Sequence, residues 1–319
     1  MIAYAARRIL GSIPLLLVIT IISYALMGLS PGGPAAILGQ SARGMTPIQR
    51  EHLIALLGLN RPWYVQYFYW LQNLVLHGSL GYSYVDSRPV IAKILGKLPV
   101  TLELIGLSTL LTLAIAIPTG VYAAVKRGRA FDEIVTTLAF VAYGMPVFWL
   151  GILLIDVFAV HLRWFPLSGI SSLGQSHNLL DRLDHLVLPV VTLSTVSFAS
   201  WMRYQRSATI EVLGAPFVRT AHAKGLTNWT VIVKHTLRNA LLPTITLLGL
   251  SLPSLIGGAY FIEYVFSLPG MGYLGVTSVF ARDYPTVMGI TLISAVLVVA
   301  GNLLADIAYA AVDPRIRYD

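Results

Sequence analysis

The chain has 319 residues, of which 56% are apolar and only 11% charged. A soluble domain carries roughly 25% charged residues, so most of this surface must face lipid, and the pair of soluble domains that the length would allow is excluded. The net charge of +8 fits basic loops beside a membrane rather than nucleic-acid binding, because no basic stretch outside the apolar segments has the size of a binding domain.

A segment of about 20 mostly apolar residues can span a bilayer, and six qualify. The first runs from about Ile9 to Leu29. Arg7 and Arg8 precede it as they would in a secretory leader, but the apolar stretch is too long and no A-x-A site follows, so it reads as a retained helix. A large extramembrane region follows, from about Ser30 to Pro99, with helical stretches at Pro47–Leu57 and Val65–Leu76 and turn punctuation at Pro31-Gly32-Gly33-Pro34. It holds six aromatics in eight residues: Trp63, Tyr64, Tyr67, Phe68, Tyr69 and Trp70. Such a cluster suits a membrane–water interface better than a ligand contact.

The remaining spans run from about Val100 to Val125, Ile134 to Val160, Leu186 to Met202, Ala240 to Ile262 and Thr286 to Val312. Pro118, Pro146, Pro189 and Pro253 fall within them, and each is either a kink or a hinge. Among acids inside spans, Glu103 and Asp156 sit near helix ends and reach water. Asp306 is deeper and shares a face with Asn302 and Tyr309, which favours hydrogen-bonded helix packing over a proton relay.

Lysine and arginine placement sets the orientation. With the N-terminus inside, 13 of the 22 basic residues lie inside and nine outside, and six of those nine belong to the long first loop, where they count little. Both termini are therefore expected in the cytoplasm. The predicted organisation is a first helix at 1–29, an external insertion at 30–99 and a transmembrane core at 100–319, with an internal loop at 203–238.

That loop is the most informative part of the chain. Pro216 can open a helix and Gly225 can close one, which bounds a helix about 13 Å long at 1.5 Å per residue. Trp229, Ile232, Val233 and Thr236 then follow at i, i+3, i+4 and i+7, one face of a second helix. The unit is too polar to span and too apolar on one face for water, so it needs a partner surface.

Arg219-Thr220-Ala221-His222-Ala223-Lys224-Gly225 resembles the EAA loop of permease subunits of binding-protein-dependent ABC importers, in the dipeptide/oligopeptide branch. The match continues in order along the chain. Pro31-Gly32-Gly33-Pro34-Ala35 resembles the family's PGDPA, Leu57-Gly58-Leu59-Asn60-Arg61-Pro62 its LGLDxP, and Gly78-Ser79-Leu80-Gly81-Tyr82-Ser83 its GDLGxS. Leu237-Arg238-Asn239-Ala240-Leu241-Leu242-Pro243, Val265-Phe266-Ser267-Leu268-Pro269-Gly270 and the tail Asp313-Pro314-Arg315-Ile316-Arg317-Tyr318 match as well. Arg219 and Thr220 depart from the general Glu-Ala of the loop, and Gly33 and Ser79 stand where the family carries Asp.

The resemblance implies an all-α membrane protein of six transmembrane helices in the bacterial inner membrane, working by alternating access. It implies a second homologous permease subunit, two ABC ATPase subunits, an external substrate-binding protein and surrounding lipid as partners, and no nucleic acid. ATP and magnesium belong to the ATPases, and this chain has no cofactor of its own. Phe217, Val218, Arg219, Thr220, Ala221, Ala223, Lys224 and Gly225 would form the coupling helix that docks on an ATPase, with Phe217, Val218 and Ala221 as its apolar docking face. The substrate path is expected near Gly257, Gly258, Glu263 and Asp306. Peptides are the implied substrates, with nickel chelates, glutathione or oligosaccharides as the alternatives within the class.

Other chemistry finds little support. No G-x-x-x-x-G-K-[ST] is present, so ATP hydrolysis falls to another chain, and the seven histidines form neither H-E-x-x-H nor a cluster. No G-x-S-x-G marks a hydrolase. A proton-coupled secondary transporter would need a buried acidic pair and usually inverted repeats, against one deep acid and no repeat here.

Overall fold

The computed structural model describes residues 2–29, 46–56, 58–175, 178–241, 244 and 259–312. The regular structure among them is helical, and the one strand-like pairing is an isolated bridge between Tyr82 and Pro89. Four of these helices are long and apolar enough to cross a membrane, or five if one bent pair is a single span. The chain divides into two compact units, Met1–Thr101 with Pro269–Ala300 and Leu102–Leu268 with Gly301–Asp319.

In the first unit, α1 (Ile2–Gly28) leaves almost its whole circumference exposed, with only 11% of its apolar window buried. That suits a helix whose surroundings are lipid. After α2 (Pro47–Leu56), α3 (Trp63–His77) packs on α1. Gly28 permits the approach, since a Cβ there would lie 2.7 Å from that of Trp63. Next comes α4 (Val90–Val125), a single helix of 36 residues, so the predicted second span is the later part of a longer element. Its first turns form because Val90 and Ile94, one turn apart, bury completely beside Gly289.

Asp283, 1% exposed, closes this unit. Its carboxylate accepts hydrogen bonds from the Ser83 hydroxyl (2.5 Å), the Thr286 hydroxyl (2.6 Å) and the Tyr84 N–H (2.9 Å), and Lys93 lies 3.4 Å away. It thereby ties the Ser83 loop to the start of α11 (Tyr284–Val312). Between them, the short α10 (Met271–Phe280) hangs its first N–H on the Thr101 hydroxyl at 2.8 Å.

The second unit holds α5 (Ala130–Gly144), α6 (Val147–Leu154, continued as a π-helical turn to His161) and α7 (Leu179–Leu213). The third predicted span is not one straight helix: it bends by 102° between Gly144 and Val147. Pro146 has no N–H to continue the ladder and forces Met145 into extended backbone, φ −85° and ψ 130°. Pro189, in contrast, lies within α7, which continues unbroken through it. The α7 N-terminus is capped by Asn178, whose side chain accepts from Leu180 N–H at 3.0 Å. Small residues let α4, α5 and α7 meet closely: Ala116, Ala139 and Ala199 pack with Met202. A Cβ on Gly120 would sit 2.8 Å from the Met202 carbonyl oxygen. The predicted fifth span lies largely outside the described residues.

Candidate functional site

α7 runs directly into the loop singled out by sequence. Ala215 is extended, at φ −69° and ψ 146°, and α8 (Pro216–Ala223) starts with Pro216 in its first turn. That position costs the proline nothing, because its missing N–H would have had no helical partner. At the other end Gly225 has φ +77°, the Leu226 N–H bonds to the Ala221 carbonyl at 3.3 Å and the Gly225 N–H to His222 at 2.9 Å. These paired bonds are a Schellman closure. The predicted helix and both of its end signals are present.

The predicted docking face is not. Val218 (2% exposed) and Ala221 (7%) bury against Val231, Val212 and Leu213 of the same chain, and of the three apolar residues only Phe217 is exposed. Arg219, Thr220, His222, Ala223 and Lys224 face outward with it. The short helix is thus rooted in its own subunit by one face and offers an aromatic ring and two cations on the other.

The second helical face also differs. After a turn at Asn228–Thr230, capped by Thr227, residues Val231–Leu237 form a π-helix, α9. Its wider turn follows an i→i+5 pattern, so Val231 and Thr236 become the buried pair, while Trp229 is 75% exposed and Val233 41%. The 3.6-residue period set Trp229, Ile232, Val233 and Thr236 on one face in need of a partner surface; Thr236 finds it within this chain, whereas Trp229 and Val233 stay exposed.

The structure adds a brace behind α8. Asp132 on α5, 4% exposed, receives two bonds from Arg206 on α7, Nε at 2.5 Å and a terminal nitrogen at 2.7 Å, and a third from the Gly128 N–H at 3.0 Å. Gln205, fully buried, accepts from the Thr244 hydroxyl at 2.7 Å. Arg203 stacks over Phe140 (5.1 Å) and Tyr143 (5.4 Å) of α5. The sequence reading counted Arg203 and Arg206 as loop charges and missed this brace. The available signal was Asp132, an acid at the edge of an apolar run, which must find a partner.

The predicted acids separate. Glu103 does not simply reach water: its carboxylate takes both a 3.0 Å bond from Arg182 Nε and a shorter one from the same guanidinium, joining α4 to α7. Asp156 is 59% exposed and lies 3.6 Å from His161. Glu263 is completely buried in a helical stretch at 259–265. Gly257 and Gly258 lie outside the described residues, as do the side chains of Asp306 and Tyr309.

Two family matches cover the chain. Residues 1–105 match the N-terminal component and residues 116–318 the main component described as binding-protein-dependent transport system inner membrane component. The chain is similar to the oligopeptide transport system permease protein AppB of Bacillus subtilis, 47% identical over the full length of both. It is also similar to the dipeptide transport system permease protein DppB of Escherichia coli K12, 38% identical over 100% of this chain and 99% of that one. In fold it is similar to a chain of the MetNI methionine ABC transporter in an inward-facing crystal form, with a TM-score of 0.57, 19% identity, and coverage of 70% of this chain and 97% of that one. With an unbroken match of this length and a helical core of the same fold, the chain belongs to the inner-membrane components of binding-protein-dependent transport systems, and is a multi-pass transport subunit rather than an enzyme.

Proposed function

We propose that the chain is one membrane subunit of an ATP-driven importer of oligopeptides or dipeptides, crossing the bacterial inner membrane six times with both termini in the cytoplasm. The observation that carries this reading is end-to-end similarity to a curated oligopeptide permease at 47% identity. A second homologous permease completes the path, a substrate-binding protein delivers peptide from outside, and two ABC ATPases bind ATP and magnesium inside. Glu263, Gly257, Gly258 and Asp306 remain the residues assigned to the substrate path.

In this reading α8 is the coupling helix. Phe217 fills a groove of the ATPase, and Arg219 and Lys224 pair with acids at its rim. Val218 and Ala221 hold α8 to α7 and to the π-helical segment, so displacement of the exposed face is passed inward. Arg206–Asp132 carries it from α7 to α5, and the close contact at Gly120 carries it to α4. Gly225 keeps the far end of α8 closed and short.

The test is a complex purified with its co-expressed partners and reconstituted in liposomes. Phe217→Ala and Arg219→Glu should leave membrane insertion unchanged and lower both ATPase co-purification and peptide uptake at least tenfold. Co-purification and uptake at wild-type levels in the double variant would overturn the coupling assignment. Uptake of sugars or metal chelates in place of peptides would overturn the substrate.

A further inference from the structure

The segment from Pro62 to Val85 contains no Asp, Glu, Lys or Arg over 24 residues, although it lies in the long connection between α1 and α4. Arg61 and Asp86 bound it. Burial pushes the Asp86 carboxyl up, but bonds with Ser83 and Lys93 outweigh this and hold it below the usual carboxylate range, so it stays charged and marks a wet boundary. A charge-free run of that length has a reason to leave water.

Its path follows from contacts within the first unit. Trp63 sits against Gly28, the Tyr67 ring against Tyr24 (5.7 Å between centroids), and the Tyr67 hydroxyl 3.1 Å from the Thr20 hydroxyl. As the α3 numbers rise the α1 numbers fall, so α3 runs antiparallel to α1, back along the helix it has just left. The candidate membrane span of α1, Arg7–Gly28, holds 22 residues. At 1.5 Å per residue that is about 33 Å, one hydrocarbon thickness, so Gly28 marks one edge of the bilayer. Thr20 is about 12 Å inside that edge.

The chain then climbs out again. Leu80 packs at Gly289, Gly81 at Pro285, and Ser83 and Tyr84 bond to Asp283. Gly289 is one and a half turns inside α11, about 7–9 Å, and Asp283 is just before its start. The order 289, 285, 283 is an ascent. Gly78, with φ +62°, makes the turn at the bottom.

The faces of α3 agree with this course. Tyr67 and Trp70 are buried against the protein, whereas Tyr64 (59%), Phe68 (63%), Val75 (72%) and Leu76 (65%) are exposed. At 100° per residue Tyr64, Phe68 and Val75 fall within about 40° of one another, whereas Leu76 lies about 80° further round, with the exposed Gln72 between them. Asn73 and His77 form a separate exposed strip about 40° wide. A helix apolar on two faces needs a second apolar medium. Val18, Ile21 and Ile22 of α1 are likewise exposed (51%, 40% and 52%), as apolar side chains against lipid would be. Tyr64, next to the Trp63 contact with Gly28, lies at the edge where aromatic rings settle.

We propose that Trp63–Tyr84 is a re-entrant hairpin, with α3 entering beside α1, turning at Gly78 and returning along α11, and with Tyr64, Phe68 and Val75 against acyl chains. Its occupant is lipid, and it makes the connection between α1 and α4 part of the membrane domain rather than wholly a water-borne insertion.

The absence of native cysteine makes the test direct. Single cysteines at 64, 68 and 75 would carry a bimane dye in the assembled transporter in phosphatidylcholine–phosphatidylglycerol nanodiscs. Position 18 serves as the lipid reference and positions 48 and 86 as water references. Quenching by 5-doxyl lipid at 68 and 75 should fall within twofold of position 18, and aqueous iodide should quench them at least fivefold less than position 48. Iodide quenching at 68 and 75 equal to that at 48 would overturn the proposal. So would protection from both quenchers, since it would mean that protein covers the stripe. These positions are exposed, so the dye should be tolerated. If position 68 alone perturbs assembly, positions 64 and 75 decide by the same criteria.

Discussion

Removing Arg206 should be far more damaging than removing its partner. Arg206 is 26% exposed at its side chain, whereas that of Asp132 is 6% exposed. In Arg206→Met the carboxylate keeps only the Gly128 N–H as a donor from the loop. Breaking a buried pair by deleting one partner costs about 3–5 kcal/mol, which at 1.4 kcal/mol per decade is more than a hundredfold in the folded population. In Asp132→Asn the orphan is a guanidinium that can turn to water, and the loss should be about 1–2 kcal/mol. Replacing both, as in Asp132→Leu with Arg206→Met, removes the desolvated charges together and should restore stability to within about 1 kcal/mol. The assay is the fraction of monodisperse protein after graded heating in detergent, read by size exclusion. Peptide-stimulated ATP hydrolysis in liposomes is measured on the same samples. The double variant should recover heat resistance but not coupled hydrolysis, because the polar brace between α5 and α7 is gone. Equal losses for the two single variants, or a double variant as labile as Arg206→Met, would refute the reasoning.

Gly225→Asn should keep most uptake and Gly225→Val should lose it, because a Cβ meets nothing within 4 Å there and only the φ of +77° is demanding; equal uptake in both would show that the left-handed turn is not needed. Ala221→Asp should lower heat resistance by at least several degrees even without any ATPase, since Ala221 packs on its own chain; a loss of ATPase binding alone would place that residue on the outer face instead. Asp283→Ala should free the Ser83 loop, raising hydrogen exchange at residues 83–86 at least tenfold while α7 amides stay protected. Gly120→Leu should block assembly of α4 with α7, because the first added carbon already lies 2.8 Å from a backbone carbonyl oxygen that cannot move aside; wild-type expression of a monodisperse protein would contradict it.

What the sequence determined by itself was whatever rests on local chemistry. Apolar runs announce spans because lipid offers no hydrogen bonds, so α1, α4, α7 and α11 were legible to within a few turns. Pro216 and Gly225 bound α8 because each acts on its own backbone dihedrals. Family motifs read in chain order identified the transport class. Tertiary structure decided everything that depends on which surfaces meet. Only packing shows that Val218 and Ala221 turn inward onto Val231, leaving Phe217 outside, because a short amphipathic helix has one apolar side and no label saying who covers it. Only the three-dimensional path pairs Arg206 with Asp132, 74 residues apart, and Glu103 with Arg182, 79 apart. Pro146 was read as a kink or a hinge, but the 102° bend it permits depends on the helices packed around it. The π-helical turn at Val231–Leu237 shifts burial off the 3.6-residue period, and no residue pattern announces it, since the same side chains would suit an ordinary helix. The hairpin at Trp63–Tyr84 stands between the two: its lack of charge was visible in the sequence, but its descent beside α1 appears only in the order of its contacts.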